Sequence, residues 1–219
     1  MSPRAPDGLT LEAVAALARL RLASPVSAPA SHPAPDSDFD LDPALRPQAP
    51  VLSPAAVLVG LFETDAGLQV LLTRRSDRLR RHSGQVAFPG GRLEPGEGPV
   101  EAALRECQEE VGLEPAFIEP WGLGDRYETG TGFVITPVVA GLRPGFRLTA
   151  DVQEVAEIFH APFGRLMDPA AWELRSLIRD GVERRFFAQD HDGRTIWGAT
   201  AGMLRGIAAR LFSEPSHEP

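Results

Sequence analysis

Three glutamates lie close together near the middle of the chain, at Glu106, Glu109 and Glu110. Their spacing of i, i+3 and i+4 places them on one face of an α-helix. Like charges at this spacing repel each other by roughly a few tenths of a kcal/mol per pair. A divalent cation offsets this repulsion, because Mg²⁺ and Mn²⁺ prefer carboxylate and water oxygens and share their remaining ligands with substrate phosphates. The alternative interpretation is a solvated acidic face.

The flanking residues predict the limits of this helix. A Gly/Pro-rich loop containing Glu97 leads to Pro99, which suits the first helical position because its missing N–H has no partner there. Gly112 suits the end of the helix, since glycine adopts the left-handed cap without strain. Arg105 lies four residues before Glu109, so a charge-assisted hydrogen bond from Arg105 can hold that carboxylate in place.

The same stretch matches the pattern G-x5-E-x7-R-E-U-x-E-E-x-G-U, with U apolar, at every defined position: Gly91, Glu97, Arg105, Glu106, Cys107, Glu109, Glu110, Gly112 and Leu113. It therefore resembles the Nudix box. The resemblance implies a loop-helix-loop that binds Mg²⁺ or Mn²⁺ and an enzyme that hydrolyses a nucleoside diphosphate linked to another group. It implies metal ligands among Glu106, Glu110, Glu109, Glu97 and Gly91, and a catalytic set that includes Glu109, Glu106, Glu110 and Arg105.

A second acidic position follows from the same resemblance. In many Nudix enzymes an acid from a loop further along the chain ligates metal or activates water, and Glu154 is the candidate here, with Glu157 in reserve. Either Glu109 or Glu154 would take the proton of the attacking water. An exposed loop acid without a catalytic role is the alternative for Glu154.

Residues 74–82 reverse the local charge of an acidic protein, with five arginines and a histidine in nine residues. A solvated loop is the simplest interpretation of such a run. The arginine fork also suits phosphate, and this run leads directly into Gly91, so an anionic ligand near the carboxylates is the functional alternative. The candidate substrate-binding residues are Arg75, Arg80, Ser76, Arg74, His82 and Gln85.

Residues 71–91 match the pattern LLTxR[SA]x3Rx3Gx3FPGG, which resembles the coenzyme A pyrophosphatase branch of the Nudix hydrolases. This implies cleavage of the diphosphate of coenzyme A or a derivative to 3′,5′-ADP and 4′-phosphopantetheine or its acyl form. Two alternatives stay open. One is a Nudix hydrolase of ADP-ribose, a dinucleoside polyphosphate or a dinucleotide, and the other is a nucleotide-binding module without turnover.

Apolar and β-branched runs predict strands at 55–62, 67–73, 117–123, 133–139 and 156–163, with a hairpin turn at 191–193 and a final helix ending near residue 212. A polar, Gly-rich loop at 124–132 is a common place for ligand contacts. The resemblance implies an α/β Nudix fold in which a mixed, curved β-sheet is sandwiched between α-helices. We expect the carboxylate helix and the C-terminal helix on opposite sides of the sheet.

The remaining sequence features limit location and partners. A net charge of −8 disfavours a nucleic-acid partner bound through a basic surface. Cys107 is the only cysteine, and no apolar run approaches the length of a membrane span. We therefore expect a cytoplasmic protein with a small-molecule substrate, and the oligomeric state stays open, with a dimer possible.

The N-terminal region differs from the rest of the chain. Residues 10–22 predict a helix capped by Thr10, which would pack on the domain or contact a partner. The following Pro/Ala-rich composition predicts a linker, read most directly at 24–36. The predicted division is a helix and linker at 1–50 and a Nudix hydrolase domain at 51–219.

Overall fold

The fold is known from a computed structural model, in which the structure describes residues 8–26, 36–48, 51–79, 82–179 and 181–213. Its helices are α1 (Leu11–Arg21), α2 (Pro99–Val111), α3 (Phe163–Leu166) and α4 (Ala199–Phe212). Its strands are β1 (Asp36–Ser37), β2 (Ser53–Thr64), β3 (Gly67–Arg75), β4 (Val86–Ala87), β5 (Gly90–Arg92), β6 (Ile118–Leu123), β7 (Tyr127–Glu128), β8 (Phe133–Leu142), β9 (Val155–Pro162), β10 (Glu173–Arg179), β11 (Val182–His191) and β12 (Arg194–Trp197). Within these ranges, no helix combines the length and apolar composition needed to cross a membrane.

The larger sheet is mixed and is built around β2. Its main path runs β1-β7-β8-β2-β3-β4, while β5 pairs with β2, β6 with β8 and β9 with β3. β2 runs parallel to β8 and antiparallel to β3 and β5. Because β5 carries Gly91 and leads into α2, this pairing fixes the start of the carboxylate helix beside the centre of the sheet.

Alternate residues of β2 enter two apolar clusters, one on each face of the sheet. Ala56 and Leu58 pack with the buried side of α2, which includes Cys107. Val57 and Val59 pack in the other cluster, which also contains residues of α1 and α4. This period of two is what a strand buried on both faces requires. The predicted α/β sandwich, with α2 and α4 on opposite sides, is confirmed.

The N-terminal helix packs onto the domain. The Thr10 hydroxyl accepts a hydrogen bond from the N–H of Ala13 at 3.2 Å, as a cap does. Val14, Ala15 and Ala18 form its buried side and join the cluster that contains α4. Of the two roles left open by the sequence, the structure therefore shows packing on the domain.

Part of the region predicted as linker has a defined structure. β1 pairs in parallel with β7, and Phe39 is buried. Residues 27–35 lie outside the described residues. The linker prediction is thus wrong for residues 36–48, because hydrogen bonds to a distant strand leave no trace in local composition. The division of the chain at residue 50 stays a prediction.

A smaller antiparallel sheet of β10, β11 and β12 follows. Pairing of His191 with Arg194 leaves Asp192 and Gly193 as a two-residue turn, with φ values of 47° and 76°. Positive φ at both positions is typical of the Asp-Gly type I′ hairpin. The predicted hairpin is confirmed, whereas β10 was not predicted.

Candidate active site

The three glutamates of α2 lie in different environments. The Glu110 side chain is 4% exposed and that of Glu106 is 18% exposed, while that of Glu109 is 60% exposed. The helix itself has its predicted limits, with Pro99 first and Gly112 as a left-handed cap at φ 67°. Glu106 and Glu110 line a cavity, and Glu109 is not among its lining residues.

Arg105 holds three carboxylates. Its Nε and Nη2 donate to the two carboxylate oxygens of Glu97 at 2.9 and 3.0 Å. Its Nη1 donates to Glu106 Oε1 at 2.9 Å and to Glu109 Oε2 at 3.2 Å, so the predicted contact with Glu109 is present. The hydrogen bonds with Glu97 raise the pKa of Arg105 and lower that of Glu97. Arg105 therefore fixes the loop before α2 to the glutamate face.

Two glycines bring the backbone of β5 against the carboxylates. The N–H of Gly90 donates to Glu110 Oε2 at 3.1 Å. A Cβ added at Gly91 would lie 2.3 Å from Glu106 Oε1, and one added at Gly90 would lie 2.3 Å from the Ala56 carbonyl oxygen. Only glycine allows these approaches, and Gly91 leaves a space beside Glu106 that any other side chain would fill.

Burial is the main cause of the raised pKa of Glu110. The pKa of Glu110 is raised to about 7, mainly by loss of water around the carboxylate and in smaller part by the charges of Glu154 and Glu106. The Gly90 N–H and the Arg75 guanidinium, whose Nη1 lies 3.7 Å from Glu110 Oε1, act in the opposite direction. Burial also raises the pKa of Glu106. Because burial disfavours their ionised forms, a nearby cation would stabilise both carboxylates.

The segment that carries Glu154 is attached to the end of α2. The N–H of Thr149 donates to the Val111 carbonyl at 2.8 Å, and the N–H of Asp151 donates to the Glu110 carbonyl at 2.9 Å. These bonds use carbonyls that the end of a helix leaves free. They bring Glu154 into the cavity lining beside Glu106 and Glu110.

Three of the predicted substrate-binding residues line the same cavity: Arg75, His82 and Gln85. The Nε of Arg75 is buried without a hydrogen-bond partner. His82 Nδ1 lies 2.8 Å from Gln85 Oε1. The free Nε donor of Arg75 is suited to a phosphate oxygen. Because the Glu110 carboxylate lies beside it, a phosphate would bind best together with a cation.

Two other predicted substrate-binding residues, Arg74 and Ser76, do not line the cavity. Arg74 Nε lies 3.8 Å from Glu157 Oε2, and Ser76 is buried. Arg80 lies outside the described residues. Glu157, the reserve acid, accepts hydrogen bonds from Arg194, and these lower its pKa. Glu157 is thus already paired with arginines.

The cavity has a volume of about 410 Å³. Beyond the charged groups, its wall is largely apolar: Val57, Phe88, Phe133, Ile135, Trp197 and Met203. Asp38, Thr129 and Thr131 also line it, and sequence analysis named none of them as site residues. The Gly-rich composition of residues 124–132 indicated ligand contacts near the two threonines. No feature of the sequence indicated Asp38, because it lies in the region predicted as linker.

The residues present fit a hard divalent cation that keeps much of its own water. Within the described ranges, no three His, Cys, Asp or Glu side chains converge to hold an ion by themselves. Mg²⁺ commonly uses one or two carboxylates, several waters and substrate phosphates. Glu106 and Glu110, with the open space at Gly91 and with Glu154 nearby, supply such oxygens. Glu97 and Glu109 are held by Arg105, and their role as ligands stays a prediction.

Comparison with known proteins identifies the family. A protein-family model described as "NUDIX domain" matches residues 52–179. The chain belongs to the Nudix hydrolase family. A protein described as the uncharacterized Nudix hydrolase NudL of Citrobacter koseri is 36% identical over 162 residues, which cover 74% of this chain and 84% of that protein. NudL of Klebsiella pneumoniae strain 342 is 36% identical over 163 residues, with the same coverage.

Solved Nudix structures are also similar. A MutT/Nudix family protein from Enterococcus faecalis has 19% sequence identity and a TM-score of 0.47, covering 75% of this chain and 62% of that chain. The Nudix domain of Shewanella oneidensis NrtR, solved with ADP ribose, has 21% identity and a TM-score of 0.43, covering 58% of this chain and 82% of that chain. Nudix hydrolases generally use divalent metal ions such as Mg²⁺ or Mn²⁺.

Proposed function

We propose that this Nudix hydrolase cleaves the diphosphate of coenzyme A or a coenzyme A derivative, giving 3′,5′-ADP and 4′-phosphopantetheine or its acyl form. The observation that carries the proposal is a cavity lined by Arg75, by the buried Glu110 beside it and by the partly buried Glu106. A diphosphate requires positive charge on its oxygens, and these residues supply a cation site and a guanidinium together. The coenzyme A assignment depends on the resemblance of residues 71–91, which contribute Arg75, His82 and Gln85 to the cavity.

In the proposed mechanism Glu106 and Glu110 hold Mg²⁺ or Mn²⁺, with Glu109, Glu97 and the backbone of Gly91 as the other predicted ligands. The bound ion would neutralise phosphate charge and lower the pKa of a bound water. Arg105 keeps the glutamate face in a fixed orientation through its four carboxylate contacts. Preorganised charge of this kind lowers the barrier without reorganisation during the reaction.

Glu154 is the better supported general base of the two that the sequence left open. Glu154 lines the cavity, whereas Glu109 does not. Glu109 instead accepts a hydrogen bond from Arg105. A general base must lie within reach of the water that it activates, and of these two residues only Glu154 lies at the cavity. Glu154→Gln should therefore lower kcat more than Glu109→Gln does.

The first experiment is product analysis by mass spectrometry after incubation of the protein with coenzyme A and Mg²⁺ or Mn²⁺. We expect 3′,5′-ADP and 4′-phosphopantetheine, and we expect Glu106→Gln and Glu110→Gln each to lower kcat on the order of 10² to 10³. Glu114→Gln is a matched control, because Glu114 is exposed and is not part of the cavity lining.

A substrate panel separates the coenzyme A assignment from the broader one. Turnover of ADP-ribose, a dinucleoside polyphosphate or a dinucleotide without turnover of coenzyme A would overturn the assignment but keep a Nudix diphosphatase. Tight binding without turnover of any diphosphate would instead support a binding module. We expect Arg75→Ala to lower kcat/KM for coenzyme A and for its 3′-dephosphorylated form alike, because both contain the diphosphate assigned to Arg75; a reduced preference for coenzyme A would instead assign Arg75 to the 3′-phosphate.

A further inference from the structure

The segment 36–46, which we call the strap, places one side chain in the wall of the cavity. Asp38 lines the cavity together with Thr129 and Thr131. Asp38 Oδ1 accepts a hydrogen bond from the Tyr127 hydroxyl at 2.9 Å, and Asp38 Oδ2 accepts one from the N–H of Gly130 at 2.8 Å. One carboxylate therefore bonds to the polar loop both before and after Thr129.

The loop bonded by Asp38 forms a continuous part of the cavity wall. Thr129 Oγ1 lies 3.0 Å from Thr131 Oγ1 and accepts a hydrogen bond from the N–H of Phe133 at 3.0 Å. The guanidinium carbon of Arg92 lies over the Phe133 ring, 5.0 Å from the ring centroid. Thr129, Thr131, Phe133 and Arg92 all line the cavity. A shift of this loop would thus move Thr129, Thr131 and Phe133 and would change the ring contact with Arg92.

The strap is anchored at points other than Asp38. The N–H and Nε of Arg185 in β11 donate to the Asp42 carboxylate, each at 2.9 Å. Arg46 is ion-paired with Glu128, whose side chain is 3% exposed. Anchors on two sides keep the strap in place, so Asp38 can act as a fixed point for the loop.

We propose that Asp38 is a positioning residue that holds the wall of Thr129, Thr131 and Phe133 in the shape that binds substrate. The proposal rests on the proposed function, because it assigns substrate binding to this cavity. The strap lies outside residues 52–179, the range that matches the family, so the side chain that holds this loop comes from outside the matched domain. Burial raises the pKa of the Tyr127 hydroxyl, which therefore stays protonated as a donor.

Steady-state kinetics with coenzyme A and Mg²⁺ test the proposal in Asp38→Ala and Asp38→Asn. Alanine removes both hydrogen bonds, whereas asparagine keeps one acceptor oxygen and the same shape. We expect Asp38→Ala to raise KM about tenfold, Asp38→Asn to raise it by less, and kcat to change by less than about twofold. A residue that only stabilised the fold would change the active fraction, and hence kcat, but not KM.

Asp125→Asn is the matched control. Asp125 lies in the same loop and accepts hydrogen bonds from Arg210 in α4 at 2.6 and 2.9 Å, but it does not line this cavity. We expect it to lower the melting temperature without changing KM. An equal rise of KM in Asp125→Asn and Asp38→Asn would overturn the specific role of Asp38.

Hydrogen exchange of residues 127–133 separates this inference from the proposed function, because it needs no substrate. We expect faster exchange in both Asp38 variants than in the wild type and in Asp125→Asn. If the wild type fails to hydrolyse coenzyme A, the proposed function fails while the exchange result still decides whether Asp38 holds the loop. Unchanged exchange in Asp38→Ala overturns the inference, and so does an unchanged KM.

Discussion

At the scale of single residues, identical side chains on one helix face have different surroundings. Glu106 and Glu110 face the cavity, and Glu109 is mostly exposed. The sequence predicts the shared face, because i, i+3, i+4 spacing depends only on the helix. It does not predict which glutamate is buried, since that depends on β5 and on the segment around Glu154, which come from other parts of the chain.

The space at Gly91 leads to a test of carboxylate placement. In Gly91→Ala the new Cβ would lie 2.3 Å from Glu106 Oε1. The obstructing atom ends a flexible side chain, so we expect the fold to remain while the carboxylate moves. A misplacement of about 1 Å can cost on the order of 10² in rate, and we expect kcat to fall by about that factor with little change in melting temperature.

Gly164→Ala in α3 serves as the control for Gly91→Ala, because an added Cβ there meets nothing within 4 Å. It should leave both kcat and the melting temperature unchanged. Full activity in Gly91→Ala would show that the position of the Glu106 carboxylate does not matter.

At the scale of elements, α1, α2, α4 and most of the longer strands follow from the sequence, whereas β10 and the two-residue strands do not. Pro99 and Gly112 mark the ends of α2 through their own backbone chemistry, and both predictions are confirmed. β1 and β7 have two residues each, too few to show a period of two. They pair through Asp36 with Tyr127 and Ser37 with Glu128, residues that are distant in sequence and meet only in the folded chain.

The end of α2 can be tested by Gly112→Ala. Gly112 has φ 67°, and an added Cβ would lie 3.2 Å from the Thr149 carbonyl oxygen. A non-glycine residue in this conformation costs about 1 to 2 kcal/mol, and we expect that loss of unfolding free energy in urea titration. The segment carrying Glu154 is bonded to this helix end, so activity should fall as well. A stability equal to that of the wild type would contradict this account of the cap.

At the scale of the whole molecule, buried carboxylates make stability depend on pH. The pKa of Glu110 rises from 4.5 to about 7 because of burial, and that of Glu106 shifts in the same direction. Between these pH values the folded state binds more protons than the unfolded state, so stability falls as pH rises. Ionisation of Glu110 near neutral pH therefore lowers the stability of the fold.

Chemical denaturation at pH 5 and pH 8 in the presence of EDTA measures this effect. We expect the wild type to lose up to about 3 kcal/mol from Glu110 between these pH values, and Glu110→Gln to lose much less. Adding Mg²⁺ at pH 8 should restore stability to the wild type but not to the variant, because only the carboxylate binds the ion. Parallel pH profiles for the two proteins would refute the role of Glu110.

The single thiol of the chain has a practical consequence. Cys107 lies on the buried side of α2, fully shielded from solvent, and burial raises its pKa to about 12. Maleimide dyes react with exposed thiolates, so this thiol should remain unlabelled in the folded protein. A cysteine introduced at the exposed Ser83 would then carry a fluorophore at one defined site, and its emission would report on nucleotide arrival without removal of the native cysteine.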